Sequence, residues 1–373
     1  MKAHALRERG QASIDYVGAI VLVAVVITGL VATGAAASIG QNVASGVCTA
    51  VSPLTNATCG GSSDIGGSDD PSGPSLADQA YAGDYVALGD SYSSGEGAGD
   101  YVENTNSDDA TKEWFNDLPV DLWPGEPRVN VCRRSANAYS GYVFANGEFA
   151  GDYHFGACSG AVASDYYEDN HSGNDDEGPQ REHITDDTSL ITLSMGGNDF
   201  GFADVMAECV KRGLGLGAAC GPDATEDAHA SIDEKVDELI QMYQDLEEDA
   251  PDDARILVVG YPRLFPEDPT GPTWGIAQRD QTWINDLGTY ANDAIREAIA
   301  ESGTRIEFVD VTDALEGHES GTSEPWLHDL TFGVDGGNWL MPVSSNSYHP
   351  TAEGQQAIGA LVHDAVENGG ERP

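Results

Sequence analysis

Positive charge is scarce in this chain. Its 373 residues carry 17 Lys and Arg against 63 Asp and Glu, a formal net charge of −46. Such a surface repels phosphate backbones and anionic headgroups, which excludes a nucleic-acid-binding role. No Cys-x-x-Cys pair is present, so a zinc site of the usual spacing is excluded. No Gly-x-Gly-x-x-Gly loop is present either, which argues against a dinucleotide fold, and no internal repeat suggests a solenoid. The acidic runs beginning at Ser107 and Asn174 lack the spacing of a calcium loop. The acidity therefore reads as a solvated shell suited to a salty or divalent-rich exterior.

The few cations are unevenly placed. Up to residue 63 only Lys2, Arg7 and Arg9 stand against Glu8 and Asp15, so 14 basic and 61 acidic residues follow (17 minus 3, 63 minus 2). Val17 to Ile39 is apolar or small throughout, and no charge returns until Asp64. As a helix this span is about 34 Å long, enough to cross a hydrocarbon core of about 30 Å. A transmembrane helix is expected here, in a leader covering residues 1–47. The string Arg9-Gly10-Gln-Ala-Ser-Ile-Asp15 before it resembles a type IV prepilin or Flp/TadE-like leader. That resemblance implies cleavage after Gly10, with Asp15 where Glu is usual, and a possible pilus or secretion-machinery partner. A plain membrane anchor and a cleaved secretory signal are the other two readings. The basic flank precedes the span, so the rest of the chain is expected outside the cytoplasm, membrane-anchored or released after processing. The even set Cys48, Cys59, Cys132, Cys158, Cys209 and Cys220 suits an oxidising compartment, with connectivity left open.

Residues 48–78 are rich in Gly, Ser and Asp, the composition of a flexible linker, and the main domain is expected over 79–373. Strand-like runs at Asp84 to Leu88, Tyr153 to Ala157, Leu190 to Met195, Arg255 to Gly260 and Arg305 to Asp310 alternate with helical periodicity. The helical stretches are Ser135 to Phe149, Thr225 to Asp249, Gln278 to Glu301 and Thr351 to Val366. This alternation predicts an α/β fold, a parallel sheet of about five strands in an α/β/α sandwich. The polar insertion 98–131 carries Trp114, Phe115, Leu122 and Trp123, as a lid or as a loop pinned to the core. Residues 164–187 are expected to form surface loop, with His171 and His183 exposed. His318 and His328 lie in the loop after the fifth strand, where His318 is expected to serve a packing or turn role or else to shape the substrate cleft.

Chemistry concentrates where strands end. The first strand empties into Gly89-Asp90-Ser91, which offers a nucleophile, although the same tripeptide makes ordinary turns and helix caps. The third ends in Gly196-Gly197-Asn198-Asp199, which offers an amide. Near the C-terminus His349-Pro350 offers a base before a helix. Acyl transfer needs a nucleophile, a base within hydrogen-bond reach and donors for the oxyanion, and all three are present.

Together these blocks resemble the SGNH or GDSL hydrolases, in particular their secreted actinobacterial lipase and esterase branch. The matching residues are Ser91, Gly160 in Ala157-Cys-Ser-Gly-Ala161, Asn198 and His349, supported by Cys132-Arg-Arg-Ser and by Gly317-His-Glu before Pro325-Trp326. The resemblance implies a flavodoxin-like sheet and ester hydrolysis at Ser91, without a metal or organic cofactor. The implied oxyanion hole is the N–H groups of Ser91 and Gly160 with the Asn198 side chain, and a glycine lets its N–H approach closely. The implied disulfides are Cys132–Cys158 and Cys209–Cys220, which leaves Cys48 with Cys59. Tyr92 replaces the family's Leu, a change expected to matter little. Asn346 replaces the Asp that many members carry three residues before the histidine. The expected arrangement is a Ser-His dyad whose histidine is oriented by the Asn346 backbone carbonyl. The expected substrate is a lipid or short-chain ester. Acetylated glycans or envelope esters are the second reading, and a pilin-like surface protein with a hydrolase-like domain is the third.

Overall fold

The computed structural model describes residues 73–106, 130–171, 174, 177–213, 215, 220–331 and 344–373. The expected membrane span, the Gly10 cleavage point, the Cys48–Cys59 pair, most of the linker and the aromatic part of the 98–131 insertion lie outside them. Among the described residues, no helix is long and apolar enough to cross a membrane.

Five strands form one sheet: β1 (Asp84–Gly89), β2 (Tyr153–Phe155), β3 (Thr188–Ser194), β4 (Arg255–Val259) and β5 (Glu307–Val309). All neighbours are parallel, in the order β2-β1-β3-β4-β5. Successive side chains of a strand point to opposite faces, so an apolar strand must be covered on both. In β1, Val86 and Leu88 join one core cluster while Tyr85 and Ala87 join the other. The first cluster is closed by α5 (Thr225–Asp249) and α6 (Gln278–Ser302), through Leu239, Tyr243, Ile284 and Ile295. The second is closed by α1 (Leu76–Ala80), α3 (Tyr139–Asn146) and α7 (Ala352–Asn368), through Ala80, Val143, Ile358 and Val362. Two further helices follow strands among the described residues: α2 (Ser91–Ser94) after β1 and α4 (Phe202–Gly213) after β3. Cys132 is bonded to Cys158 and Cys209 to Cys220.

Three local expectations change. The end of the expected linker is helical, because Ser75 and Asp78 form a reciprocal capping box at 3.0 and 3.1 Å that starts α1. Residues 164–187 are not mere surface. They contain 3₁₀ turns at Ala163–Tyr166 and Gln180–His183, and they bury Asp165, Tyr166, Asn170 and Gln180. His183 is accordingly half-buried against Gly156, whereas His171 is exposed as expected, with its ring 2.7 Å from Asp165. Polar composition reads as solvent exposure in a sequence, but here it supplies hydrogen-bond partners for buried main chain.

The C-terminus is held to the sheet by charge. Arg255 at the start of β4 pairs with Glu307 at the start of β5 at 2.9 Å, both almost fully buried. The same guanidinium donates to the Ala365 carbonyl at 3.0 Å, at the end of α7, and the Gly370 N–H donates to Glu307 at 2.6 Å. Removing one partner of such a pair leaves an uncompensated buried charge. Arg255→Met is expected to destabilise the fold by about 3 to 5 kcal/mol, read as a lower denaturant midpoint in urea. A change below about 1 kcal/mol would show the pair to be no more than a surface-type contact.

Candidate active site

β1 and β3 are neighbours whose following segments diverge, and their carboxyl ends open the crevice where α/β sheets bind ligands. Gly89 ends β1 at φ +116°, and a Cβ there would lie 2.3 Å from the Ser194 carbonyl oxygen, so only glycine fits. Asp90 follows as the N-cap of α2, its carboxylate accepting the Tyr92 N–H at 3.0 Å. Its other oxygen accepts the Tyr261 hydroxyl at 2.6 Å, and that hydroxyl accepts the Gly197 N–H at 2.9 Å. The turns after β1 and β3 are thereby joined through one tyrosine from the loop after β4. Burial pushes the Asp90 carboxyl up to about 7, against the opposing bonds from Tyr261 and Tyr92.

Ser91 opens α2, and its Oγ lies 2.7 Å from Nε2 of His349. On the other side of the ring, Nδ1 lies 3.2 Å from the Ser347 carbonyl. A carbonyl only accepts, so Nδ1 carries the proton and Nε2 is left to accept from Ser91. The expected Asn346 carbonyl is engaged elsewhere: it accepts the main-chain N–H of His349 at 3.0 Å. The turn explains the difference. Tyr348 adopts a left-handed φ of +61°, and the ring meets the carbonyl two residues back instead of three. Tyr92, expected to matter little, donates its hydroxyl to the Tyr348 carbonyl at 2.8 Å and braces this turn. His328 pairs its main chain with Tyr348 and His349 at 3.0 and 2.9 Å, and its ring reaches the Gly97 carbonyl at 2.8 Å. His318 instead stacks on Trp326 at 3.7 Å, a packing role. Burial lowers the pKa of His349, opposed by the nearby Glu96 carboxylate.

The third side of the crevice comes from the turn after β2. The Cys158 N–H donates to the Gly89 carbonyl at 2.9 Å, and Arg134 donates to the Ala157 carbonyl at 2.8 Å while pairing with Glu177. Gly160 follows at φ +81°. The Asn198 amide donates to the Ala161 carbonyl at 2.9 Å, so Asn198 and the Gly160 turn are held together. The three residues Ser91, Asn198 and His349 line one end of a cavity of about 520 Å³. Its walls run between α4 and α6 and include Phe200, Met206, Val210, Leu264, Ile284 and Leu330. Among the described residues no group of three His, Cys, Asp or Glu could hold a metal ion.

Sequence reasoning overlooked several residues here. Gln180 bonds both main-chain groups of Gly89, at 2.7 and 3.0 Å. Gln355 accepts from the Tyr139 N–H at 2.8 Å and donates to the Tyr92 carbonyl at 3.0 Å. Tyr261 also escaped notice, and none of the three lies in a recognisable pattern. Glu96 carried a signal: an acid between two glycines, five residues after Ser91.

Residues 87–357 match the family model described as GDSL-like Lipase/Acylhydrolase. The chain is 33% identical over 283 residues to Lipase 1 of Streptomyces coelicolor, covering 75% of this chain and 85% of that protein. Among solved structures it is similar to the extracellular lipase of Streptomyces rimosus, with TM-score 0.53, 28% identity and coverage of 77% of this chain and 100% of that one. It is also similar to phospholipase A1 of Streptomyces albidoflavus, with TM-score 0.52, 31% identity and coverage of 77% and 99%.

The burial of His349 has a measurable sign. The charged ring is disfavoured, so His349 is expected to stay neutral at pH 7 and to take up its proton only below the ordinary value of 6.5. An imidazole ¹⁵N titration by NMR checks this, and a midpoint at or above 6.5 would contradict it.

Proposed function

The chain belongs to the GDSL-like lipase/acylhydrolase family and is a carboxylic ester hydrolase, and from that premise we propose that it cleaves fatty-acyl esters through a Ser91–His349 dyad. The observation that carries this reading is the 2.7 Å contact between Ser91 Oγ and His349 Nε2, with Nδ1 facing a carbonyl. As Oγ attacks the ester carbonyl, its proton passes to Nε2 and the carbonyl electron pair moves onto oxygen. The N–H groups of Ser91 and Gly160 and the Asn198 amide hold that oxyanion. Collapse expels the alcohol, which takes the proton from Nε2. Water then repeats the sequence on the acyl-enzyme, releasing the acid and restoring Ser91. The imidazolium is stabilised by the Ser347 carbonyl dipole in place of a carboxylate. No step calls on a metal or an organic cofactor.

The apolar cavity beside Ser91 supports a fatty-acyl substrate. Its 520 Å³ falls within the usual range for ligand pockets, and most of the wall it exposes is apolar. The lipase and phospholipase relatives support the same class. Two disulfides and the basic flank before the apolar span 17–39 support action outside the cytoplasm, either tethered or released.

Hydrolysis of p-nitrophenyl esters from acetyl to palmitoyl tests the reading. Serine-dependent turnover peaking at medium or long chains is expected, and a peak at acetyl would remove the fatty-acyl assignment. Ser91→Ala is expected to fall to background. Asn198→Ala is expected to retain turnover reduced by about 100- to 1000-fold, the usual effect of one lost oxyanion donor. Unimpaired turnover in that variant would remove the amide from the oxyanion hole.

A further inference from the structure

Glu96 is a carboxylate buried beside the base and unused by the mechanism above. α2 stops at Gly95, which takes a left-handed φ of 78° and turns the chain back on itself. Glu96 is thereby aimed into the protein, only 2% exposed, with Oε2 at 3.9 Å from Nε2 of His349. Two further contacts hold it. Arg133 pairs with its Oε1 at 3.0 Å, and the Ser159 hydroxyl donates to Oε2. Ser159 directly precedes Gly160, and Arg133 directly follows the disulfide-bonded Cys132. One carboxylate thus touches the base, the turn that carries Gly160 and the cation beside the disulfide.

Among the described residues, the other side of the imidazole has no acid to match it. Nδ1 faces the neutral Ser347 carbonyl, and the Asn346 amide oxygen accepts from the Tyr101 hydroxyl at 3.3 Å. The other groups acting on the ring are Ser91, Tyr92, whose ring centroid lies 5.3 Å away, Arg133 and the Ser345 main chain, while His328 of the neighbouring loop pairs with the His349 main chain. Glu96 is the one acid among them, and Arg133 is the cation opposing it.

We propose that Glu96 is a positioning residue that supplies, from the Nε2 side of His349, the negative charge that the dyad lacks at Nδ1. It does so while fixing the Ser159–Gly160 turn through the Ser159 hydroxyl. The charge favours the imidazolium that forms as Ser91 gives up its proton, and it opposes the effect of burial on the ring. It needs no proton transfer of its own. The inference rests on His349 acting as the base.

The test is the pH dependence of kcat/KM for Glu96→Gln and Arg133→Gln, with thermal melts as a folding control. Glu96→Gln keeps the size of the side chain and removes the charge. It is expected to lower kcat by about 10- to 100-fold with little change in KM, and to move the acid limb of the profile to lower pH. Arg133→Gln leaves Glu96 unopposed and is expected to move the acid limb to higher pH. A loss of rate in Glu96→Gln with the acid limb unmoved would reduce the residue to a structural tether and overturn the proposal. Should Glu96→Gln not fold, the Arg133→Gln shift decides alone, and no shift or a shift to lower pH overturns it. His349→Ala separates the two readings. If it keeps wild-type turnover the dyad itself fails, whereas an inactive His349→Ala beside an unmoved acid limb in Glu96→Gln removes only the role of Glu96.

Discussion

The active crevice depends on the seam between β1 and β3. Gly89 sits opposite Ser194 in the parallel register, and the two strands leave the sheet in different directions beyond that point. The seam closes only because Gly89 has no side chain to meet the Ser194 carbonyl. From it Ser91 and Asn198 emerge as neighbours, although 107 positions apart in the chain. The Asp90–Tyr261–Gly197 bridge then fixes their spacing with two hydrogen bonds of 2.6 and 2.9 Å. Buried polar groups of this kind cost stability unless every partner is present.

Histidine orientation is solved by backbone geometry. The left-handed Tyr348 turns the ring toward the Ser347 carbonyl, a conformation that a non-glycine residue adopts only when its surroundings hold it. Tyr92 and His328 supply that support, both through main-chain groups of Tyr348 and His349. The loop is further anchored by α7, where Gln355 reaches back to Tyr92 and to the start of α3. At the far end of α7, Arg255 and Glu307 tie its last turn to the sheet. The geometry proposed for catalysis and the Arg255–Glu307 anchor therefore share one helix.

A chain with so many acids places few of them in the crevice. Burial pushes the Asp90 carboxyl up to about 7, and Glu96 is matched by Arg133. Elsewhere most of the described acids are exposed, where water and salt screen them at little cost.

The chain pattern made much of this legible. Strand and helix alternation specified a three-layer α/β sandwich, and the helix Thr225–Asp249 appears with the bounds its periodicity suggested, because burial of one face leaves a repeat that can be read locally. Ser91, Asn198 and His349 were recognisable as residue types at strand ends and before a proline. What stayed hidden depends on partners distant in the chain. Gln180, Tyr261 and Gln355 are ordinary residues until folding brings them to Gly89, Asp90 and Tyr92. The choice of Ser347 over Asn346 rests on a single backbone dihedral that no residue type announces. The sequence by itself determined the layers and the serine, amide and imidazole proposed for catalysis, because both follow from local periodicity and side-chain chemistry. Only the tertiary structure decided which carbonyl orients the base and which carboxylate faces it, because those choices are made by turns and contacts between segments that no local pattern encodes.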